Sequence, residues 1–181
     1  MIGLLRSIVG LVGVLGVLGA ASAQTMRFDA WVVGVPGDAS GVYAATDNSS
    51  GSMLAFTCPF TDDCHYRLIT PNTCVEGEKY PGVLSTNKGA ISVTLHCLSI
   101  VGWDSNRGGV LGLAPFDNVD LAVREGRDLG IAVPLKNGQF HVSRFSLIGS
   151  SAAINYVNGA TAKAKESGNV RPTYVPRDSR L

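Results

Sequence analysis

The sequence predicts a mainly β domain, an antiparallel β-sandwich or barrel of about eight short strands with one or two short helices. Short runs of β-branched and aromatic residues are separated by turn-forming residues at intervals of about 8–12 residues. In residues 90–98 the side chains alternate between apolar and polar, as in a half-buried strand. The apolar positions there are Ile91, Val93, Leu95 and Cys97.

The elements follow from these runs and from the turns between them. The predicted strands are Phe28–Val35, Gly41–Thr46, Ser52–Cys58, Cys64–Thr70, Tyr80–Ser85, Ala90–Leu98, Leu129–Leu135 and Phe140–Leu147. Asp117 can cap a helix over Asn118–Glu125 that ends at Gly126. Ser150 or Ser151 can cap a second helix over Ala152–Val157, which can continue to Lys165.

The last two strands form the clearest predicted hairpin, because Asn137-Gly138 lies between them. Asn-Gly favours a two-residue type I′ turn, in which both central residues have positive φ. That turn would place Leu135 opposite Phe140 and Val133 opposite Val142 on one buried face.

Residues 1–23 have the composition of a cleavable signal peptide. Arg6 precedes an apolar, glycine-broken run over residues 8–19, and Ala21 and Ala23 occupy the positions where signal peptidase needs small side chains. The run is shorter than the roughly 20 residues of a spanning helix. We therefore expect a periplasmic or secreted protein that has no stable membrane insertion after cleavage.

The rest of the chain is predicted to be one disulfide-stabilised domain, 24–165, followed by a flexible basic tail, 166–181, that contains little apolar sequence. Loss of Arg6 with the signal peptide leaves 14 basic and 14 acidic residues among residues 24–181. A formal charge of zero argues against a nucleic-acid-binding protein, which needs a basic excess.

All four cysteines lie after the signal peptide, and an even number in an exported chain indicates disulfides. Three pairings are possible. We favour Cys58–Cys64 and Cys74–Cys97, because both close short local loops. The spacing lacks the paired C-x2–4-C motifs of structural zinc sites, so neither a metal nor any other cofactor is predicted.

One glycine-rich polar segment is a candidate contact site. Trp103 lies there with Asp104 and Arg107, and tryptophan is frequent at binding hot spots. A core role for Trp103 beneath the loop is equally compatible with the sequence. If the segment is a rigid loop, it could plug an enzyme's cleft, as in an inhibitor or immunity protein.

Loop carboxylates offer an alternative, a small hydrolase acting on glycans or cell-wall material. Such an enzyme needs two carboxylates within roughly 5–10 Å of each other across a cleft. The candidates are Asp62, Asp63, Glu76, Glu78 and Asp104.

The C-terminal half resembles the invasion-associated locus B family of small exported proteobacterial proteins. The resemblance lies in Val119–Gly126, Gly130–Pro134 and Phe145–Ala153, in the order helix, glycine, strand with proline, turn, strand and alanine-containing helix. The sequence before them looks more like uncharacterised exported bacterial proteins. The resemblance implies an exported β-rich protein, in some members associated with host invasion, and carries over no catalytic residues.

Together these observations predict a non-enzymatic interaction protein whose partner is another envelope or extracellular protein.

Overall fold

The computed structural model describes residues 25–103, 106–135 and 138–168, with the backbone alone at 103, 106 and 107. This part of the chain contains ten strands and two helices. The strands are β1 Met26–Phe28, β2 Trp31–Gly34, β3 Gly41–Asp47, β4 Met53–Pro59, β5 His65–Thr70, β6 Lys79–Thr86, β7 Gly89–Trp103, β8 Asn106–Ala114, β9 Asp128–Pro134 and β10 Phe140–Ser146. The helices are α1 Phe116–Glu125 and α2 Ser150–Glu166.

The ten strands form one antiparallel sheet in the order β1-β2-β3-β4-β5-β8-β7-β6-β9-β10. The predicted mainly β, antiparallel class is confirmed. The sheet is not closed into a barrel, because β1 and β10 do not pair and both remain edge strands. One face of the sheet, together with both helices, surrounds the apolar core.

The first predicted strand, Phe28–Val35, is divided into two. A tight turn at Asp29-Ala30 folds β1 back onto β2, so that Phe28 pairs with Trp31. Asp29 has a φ of 50°, which aspartate tolerates better than a β-branched residue. The run therefore supplies an additional hairpin.

Strand β8 has no counterpart among the predicted strands. Within the segment from Gly102 to Gly109, predicted to be a polar loop, the described residues instead belong to β7 and β8, and Trp103 pairs with Asn106. The glycines are required by close packing: a Cβ on Gly109 would lie 2.8 Å from Cys74 Sγ. A glycine-rich strand resembles a loop in composition, which explains the wrong prediction.

The β9–β10 hairpin forms, but its predicted register is wrong by one residue. Phe140 pairs with Pro134, and Val142 pairs with Ala132. The loop contains three residues, and its Gly138 has a φ of 79°. An Asn-Gly sequence also fits this longer loop, in which only the last residue needs positive φ. A shift of one residue turns every side chain of β10 to the opposite face.

Trp31 lies at the centre of the core and is fully buried. Its indole Nε1 donates a hydrogen bond of 3.2 Å to the carbonyl oxygen of Ser146, which ties β2 to the end of β10. Helix α2 packs against β1 to β4, and α1 packs against β5 and β8. The helices thus cover the core-facing side of the sheet.

The serines predicted to cap the second helix have a different role. Gly149, with a φ of 91°, is the N-cap of α2. The Ser150 and Ser151 hydroxyls donate hydrogen bonds to the carbonyls of Val123 and Arg124, which lie in the last turn of α1. The pair therefore joins the two helices, because the last carbonyls of a helix need outside donors.

Both predicted disulfides are confirmed: Cys58 pairs with Cys64 and Cys74 pairs with Cys97. Helix α2 extends to Glu166, the first residue of the predicted tail. The predicted signal peptide, 1–23, and the rest of the tail, 169–181, lie outside the described residues. No helix in the described part is both long and apolar enough to cross a membrane.

Candidate interaction surface

Strand β10 is an edge strand with unpaired main-chain groups. The Leu135 N–H donates to the Gln139 carbonyl at 2.7 Å, so this pair is hydrogen-bonded. Hydrogen-bonded and non-hydrogen-bonded pairs alternate along an antiparallel ladder. The main-chain groups of His141 and Ser143 therefore point toward β9. Those of Phe140, Val142 and Arg144 point away from it.

The β3–β4 turn covers one end of this edge. Asn48 Nδ2 donates a hydrogen bond of 3.1 Å to the Arg144 carbonyl, which confirms that this carbonyl points away from β9. The Ser143 hydroxyl bonds that of Ser52 at 2.9 Å within the same contact. Among the described residues, no strand pairs with the remaining part of the edge at Phe140 and Val142.

The outer face beside this free edge is apolar and exposed. Phe140 is 63% exposed, Val142 44% and Val83 43%. Ala132 lies between Val142 and Val83 in one cross-strand row, because it pairs with both. Isolated exposed apolar residues are ordinary, whereas an adjacent group of them often marks a binding surface.

Arg144 places a cationic group beside these exposed apolar side chains. Arg144 follows Val142 on the outer face, and its Nη1 is 3.9 Å from the position of a Cβ on Gly130. Arg144, Asp128, Asn87 and Ser85 help to line an open cavity of about 580 Å³. Within the described ranges, the guanidinium of Arg144 has no hydrogen-bond or ion-pair partner, so it is available to an anionic group.

A second concave region lies between α1, α2 and the β4–β5 turn. Its polar network centres on Asp120, which accepts a 2.6 Å hydrogen bond from the Tyr66 hydroxyl and a 2.7 Å ion-pair contact from Arg124. Arg124 also bonds Asn155 of α2 at 2.8 Å. The adjoining cleft of about 530 Å³ is lined in part by Asp63. The network joins β5 to both helices.

The sequence contained a signal for this network that was missed, since Asp120 and Arg124 have the i, i+4 spacing of helical ion pairs. Burial, followed by the hydrogen bond to Asp120, raises the pKa of Tyr66. Both effects favour the neutral phenol in the folded protein.

Tyr66→Phe is expected to lower the free energy of unfolding by about 1–3 kcal/mol, because it leaves a half-buried carboxylate without one of its donors. The substitution should also change how the free energy of unfolding depends on pH in the alkaline range. Above pH ~10 the unfolded tyrosine loses its proton while folded Tyr66 keeps it, so wild-type stability falls as the pH rises. Tyr66→Phe lacks this ionisable group, so its free energy of unfolding should fall less steeply with pH in this range, by the contribution of about one proton. Urea unfolding at pH 8 and above pH 10 tests both effects, and equal slopes would contradict the assignment.

Two of the three predicted contact residues, Trp103 and Arg107, belong to β7 and β8. Arg107 is in β8 and its backbone pairs with Gly102, while Asp104 lies outside the described residues. Binding by Trp103, Asp104 and Arg107 stays a prediction.

Four of the five candidate carboxylates lie in the described residues, in two separate loops, whereas Asp104 lies outside them. Asp62 and Asp63 precede β5, whereas Glu76 and Glu78 follow it, and all four are exposed. Glu78 accepts a backbone hydrogen bond from Cys97 of β7, so strands β8 and β7 lie between it and β5, and about 14 Å separates it from β5, which exceeds the roughly 5–10 Å needed. Asp63 does share a cleft with Asp120, but Asp120 is already held by Tyr66 and Arg124.

The fold is similar to that in the crystal structure of invasion-associated protein B from Bartonella henselae. The TM-score is 0.59 at 14% sequence identity, and the match covers 77% of this chain and 99% of that one. No family model matches the sequence, and no curated protein is similar to it in sequence. At this identity the likeness shows a shared fold alone, and it supports the predicted resemblance at that level. The two disulfides are consistent with an exported protein.

Proposed function

We propose that the protein is an exported, non-enzymatic binding protein that recruits another envelope or extracellular protein by adding a strand of that partner to β10. One observation carries the proposal: free main-chain groups at Phe140 and Val142 coincide with exposed apolar side chains of the same residues. In strand addition, main-chain hydrogen bonds provide affinity and alternate side chains provide specificity.

The surface also defines the chemistry of the partner. An added strand would extend the outer apolar row formed by Val83, Ala132 and Val142. Its outward side chains should therefore be apolar at alternate positions. Arg144, whose guanidinium has no partner in the described part, favours a carboxylate at the next outward position. The expected occupant is an extended apolar–polar segment with an acidic residue at one end.

The opposite edge is less suitable for strand addition. Strand β1 has only three residues, and short edge strands are one means of avoiding unwanted pairing. The ring of Phe28 packs against Tyr156 of α2, with a centroid distance of 5.9 Å. In contrast, the free part of β10 has two apolar side chains on the outer face.

Selection from a library of random eight-residue peptides on the immobilised protein tests the proposal. Enriched peptides should alternate apolar and polar residues, and Val142→Pro should weaken their binding at least about tenfold. The substitution removes an N–H that points away from β9, a position where an edge strand tolerates proline. Val142→Thr is the matched control, because it keeps both the N–H and the β-branched shape.

Equal affinity of the selected peptides for Val142→Pro and the wild type would contradict strand addition. The same assay distinguishes strand addition from the alternative of an inhibitor or immunity protein that binds through the segment around Trp103. Trp103→Ala should leave peptide binding intact if β10 is the site, whereas loss of binding in that variant would move the site to the β7–β8 hairpin end.

A further inference from the structure

We propose that the outer face of β5 holds an oxyanion-binding site, formed by Arg67 and His65 with His96 across the sheet, that takes a phosphate or sulfate group. This site is separate from the proposed docking edge, because strands β8, β7, β6 and β9 lie between β5 and β10.

Unsatisfied polar atoms cluster on this face. Four buried side-chain nitrogen or oxygen atoms in the described ranges lack a hydrogen-bond partner. Two of them, His65 Nε2 and Arg67 Nε, lie two residues apart on β5 and therefore on the same face. Buried polar atoms are nearly always hydrogen-bonded, so adjacent exceptions point to a group that the protein itself does not supply.

The sheet register places further basic groups beside them. Arg67 and His96 both pair with Gly112, from opposite sides, and His96 also pairs with Lys79. Arg67, His96 and Lys79 therefore lie in one cross-strand row. The Cα atoms of Arg67 and His96 are two strand spacings, about 10 Å, apart. The Leu98 side chain lies over Gly112, in the middle of this row, with Cδ1 3.4 Å from a Cβ at that position.

The two strands that flank Arg67 present no carboxylate on this face; Asp47, on the same face of β3, lies two strands away from β5. The outward residues of β4 and β8 around Arg67 are uncharged: Met53, Ala55, Thr57, Val110, Gly112 and Ala114. In the described part, Arg67 has no ion-pair partner. A partly buried guanidinium without a counter-ion is costly, and a bound anion would remove that cost.

The orientation of His65 fits an anion after protonation. Its Nδ1 lies 3.1 Å from the Asp63 carbonyl, an acceptor, so Nδ1 carries a hydrogen. Protonated His65 would then present Nε2–H beside the Arg67 Nε–H as a second donor. Burial first, and the positive charge of Arg67 among the smaller influences, lower the pKa of His65 in the free protein. An oxyanion would reverse that shift, since it stabilises the imidazolium.

The charged groups around His65 are few. Asp62 and Asp63 lie in the turn before β5, and Arg67 lies on β5 itself. His96 on β7 and Lys79 on β6 lie further along the same face of the sheet. Of these, Asp62 favours the charged imidazole and Arg67 opposes it.

Titration of the disulfide-bonded protein with sodium phosphate, followed by NMR at constant ionic strength against chloride, tests the site. Phosphate should produce saturable shifts at His65, Arg67 and Gly112 and should raise the pKa of His65. The NMR signals of His141, which lies on the distant strand β10, should not shift. Arg67→Gln should weaken binding at least about tenfold. Arg27→Gln, at an exposed arginine of β1, is the matched control and should bind phosphate like the wild type.

A second arm distinguishes free phosphate from a lipid headgroup by using vesicles of phosphatidylglycerol with phosphatidylcholine vesicles as the reference. Saturable binding of phosphate or phosphatidylglycerol that requires Arg67 supports the site. If Arg67→Gln does not fold, an increase in the His65 pKa in the wild type on adding phosphate or phosphatidylglycerol still supports it. No saturable binding and an unchanged His65 pKa in both arms overturn the proposal.

Discussion

Trp31→Ala is expected to lower the free energy of unfolding by about 3–5 kcal/mol, the range for removing a buried tryptophan from a core. Trp31 is fully buried, and the cavity left by the substitution would lie between the sheet and α2. The change also removes the indole donor to the Ser146 carbonyl, and with it a side-chain link between β2 and β10. Urea unfolding followed by far-ultraviolet circular dichroism measures the effect.

Trp31→Phe separates these two contributions. It keeps most of the apolar volume and loses the hydrogen bond, so its cost should be clearly smaller than that of alanine. A loss of less than 1 kcal/mol for Trp31→Ala would show that α2 and the sheet do not form one core around this residue.

Removal of the Cys74–Cys97 disulfide is expected to cost about 3 kcal/mol, whereas removal of Cys58–Cys64 should cost about 2 kcal/mol. The bonds close loops with sequence separations of 23 and 6 residues, and a longer closed loop restricts the unfolded chain more strongly. The comparison uses the two double alanine variants, so that each lacks one complete bond and leaves no free thiol.

Urea unfolding of both variants under non-reducing conditions measures the difference. Reduction of the wild-type protein should cost at least as much as the larger single loss. A greater cost for loss of Cys58–Cys64 would contradict the chain-entropy account, and would place the main contribution in contacts of the β4–β5 turn with Asn158 of α2, whose Oδ1 lies 3.7 Å from Cys58 Sγ.

Much of the fold was predictable because its signals are local. Period-2 alternation identified the strand that contains Val93 and Leu95, and both residues are buried. The disulfide pairing followed from loop length. Strand β8 was not predictable in this way, because its glycines are required by packing against Cys74 and the β5 end, a contact between residues distant in sequence.

The candidate surface depends on the pairing register of β9 and β10, and the sequence is compatible with two registers that differ by one residue. Asn137-Gly138 is compatible with a two-residue or a three-residue loop, and the choice decides which face of the sheet Phe140 and Val142 occupy. The two-residue loop would have buried both side chains. The three-residue loop exposes them and turns His141 and Ser143 inward, where Ser143 is buried.

An exposed, partly apolar edge is a hazard that folded proteins usually suppress. Here the β3–β4 turn covers Arg144 through Asn48, while Phe140 and Val142 remain open. In the described part of the chain, partial covering leaves only a short free edge around Phe140 and Val142. It therefore favours a short extended segment over sheet-to-sheet stacking of many chains.

Amide hydrogen exchange at Phe140 and Val142, with and without a saturating selected peptide, tests strand addition most directly. Both N–H groups should exchange quickly in the free protein, since they point away from β9, and should be strongly protected when the peptide is bound. The inward amides of His141 and Ser143 should be protected in both states. Unchanged exchange at Phe140 and Val142, with new protection elsewhere, would contradict binding at β10.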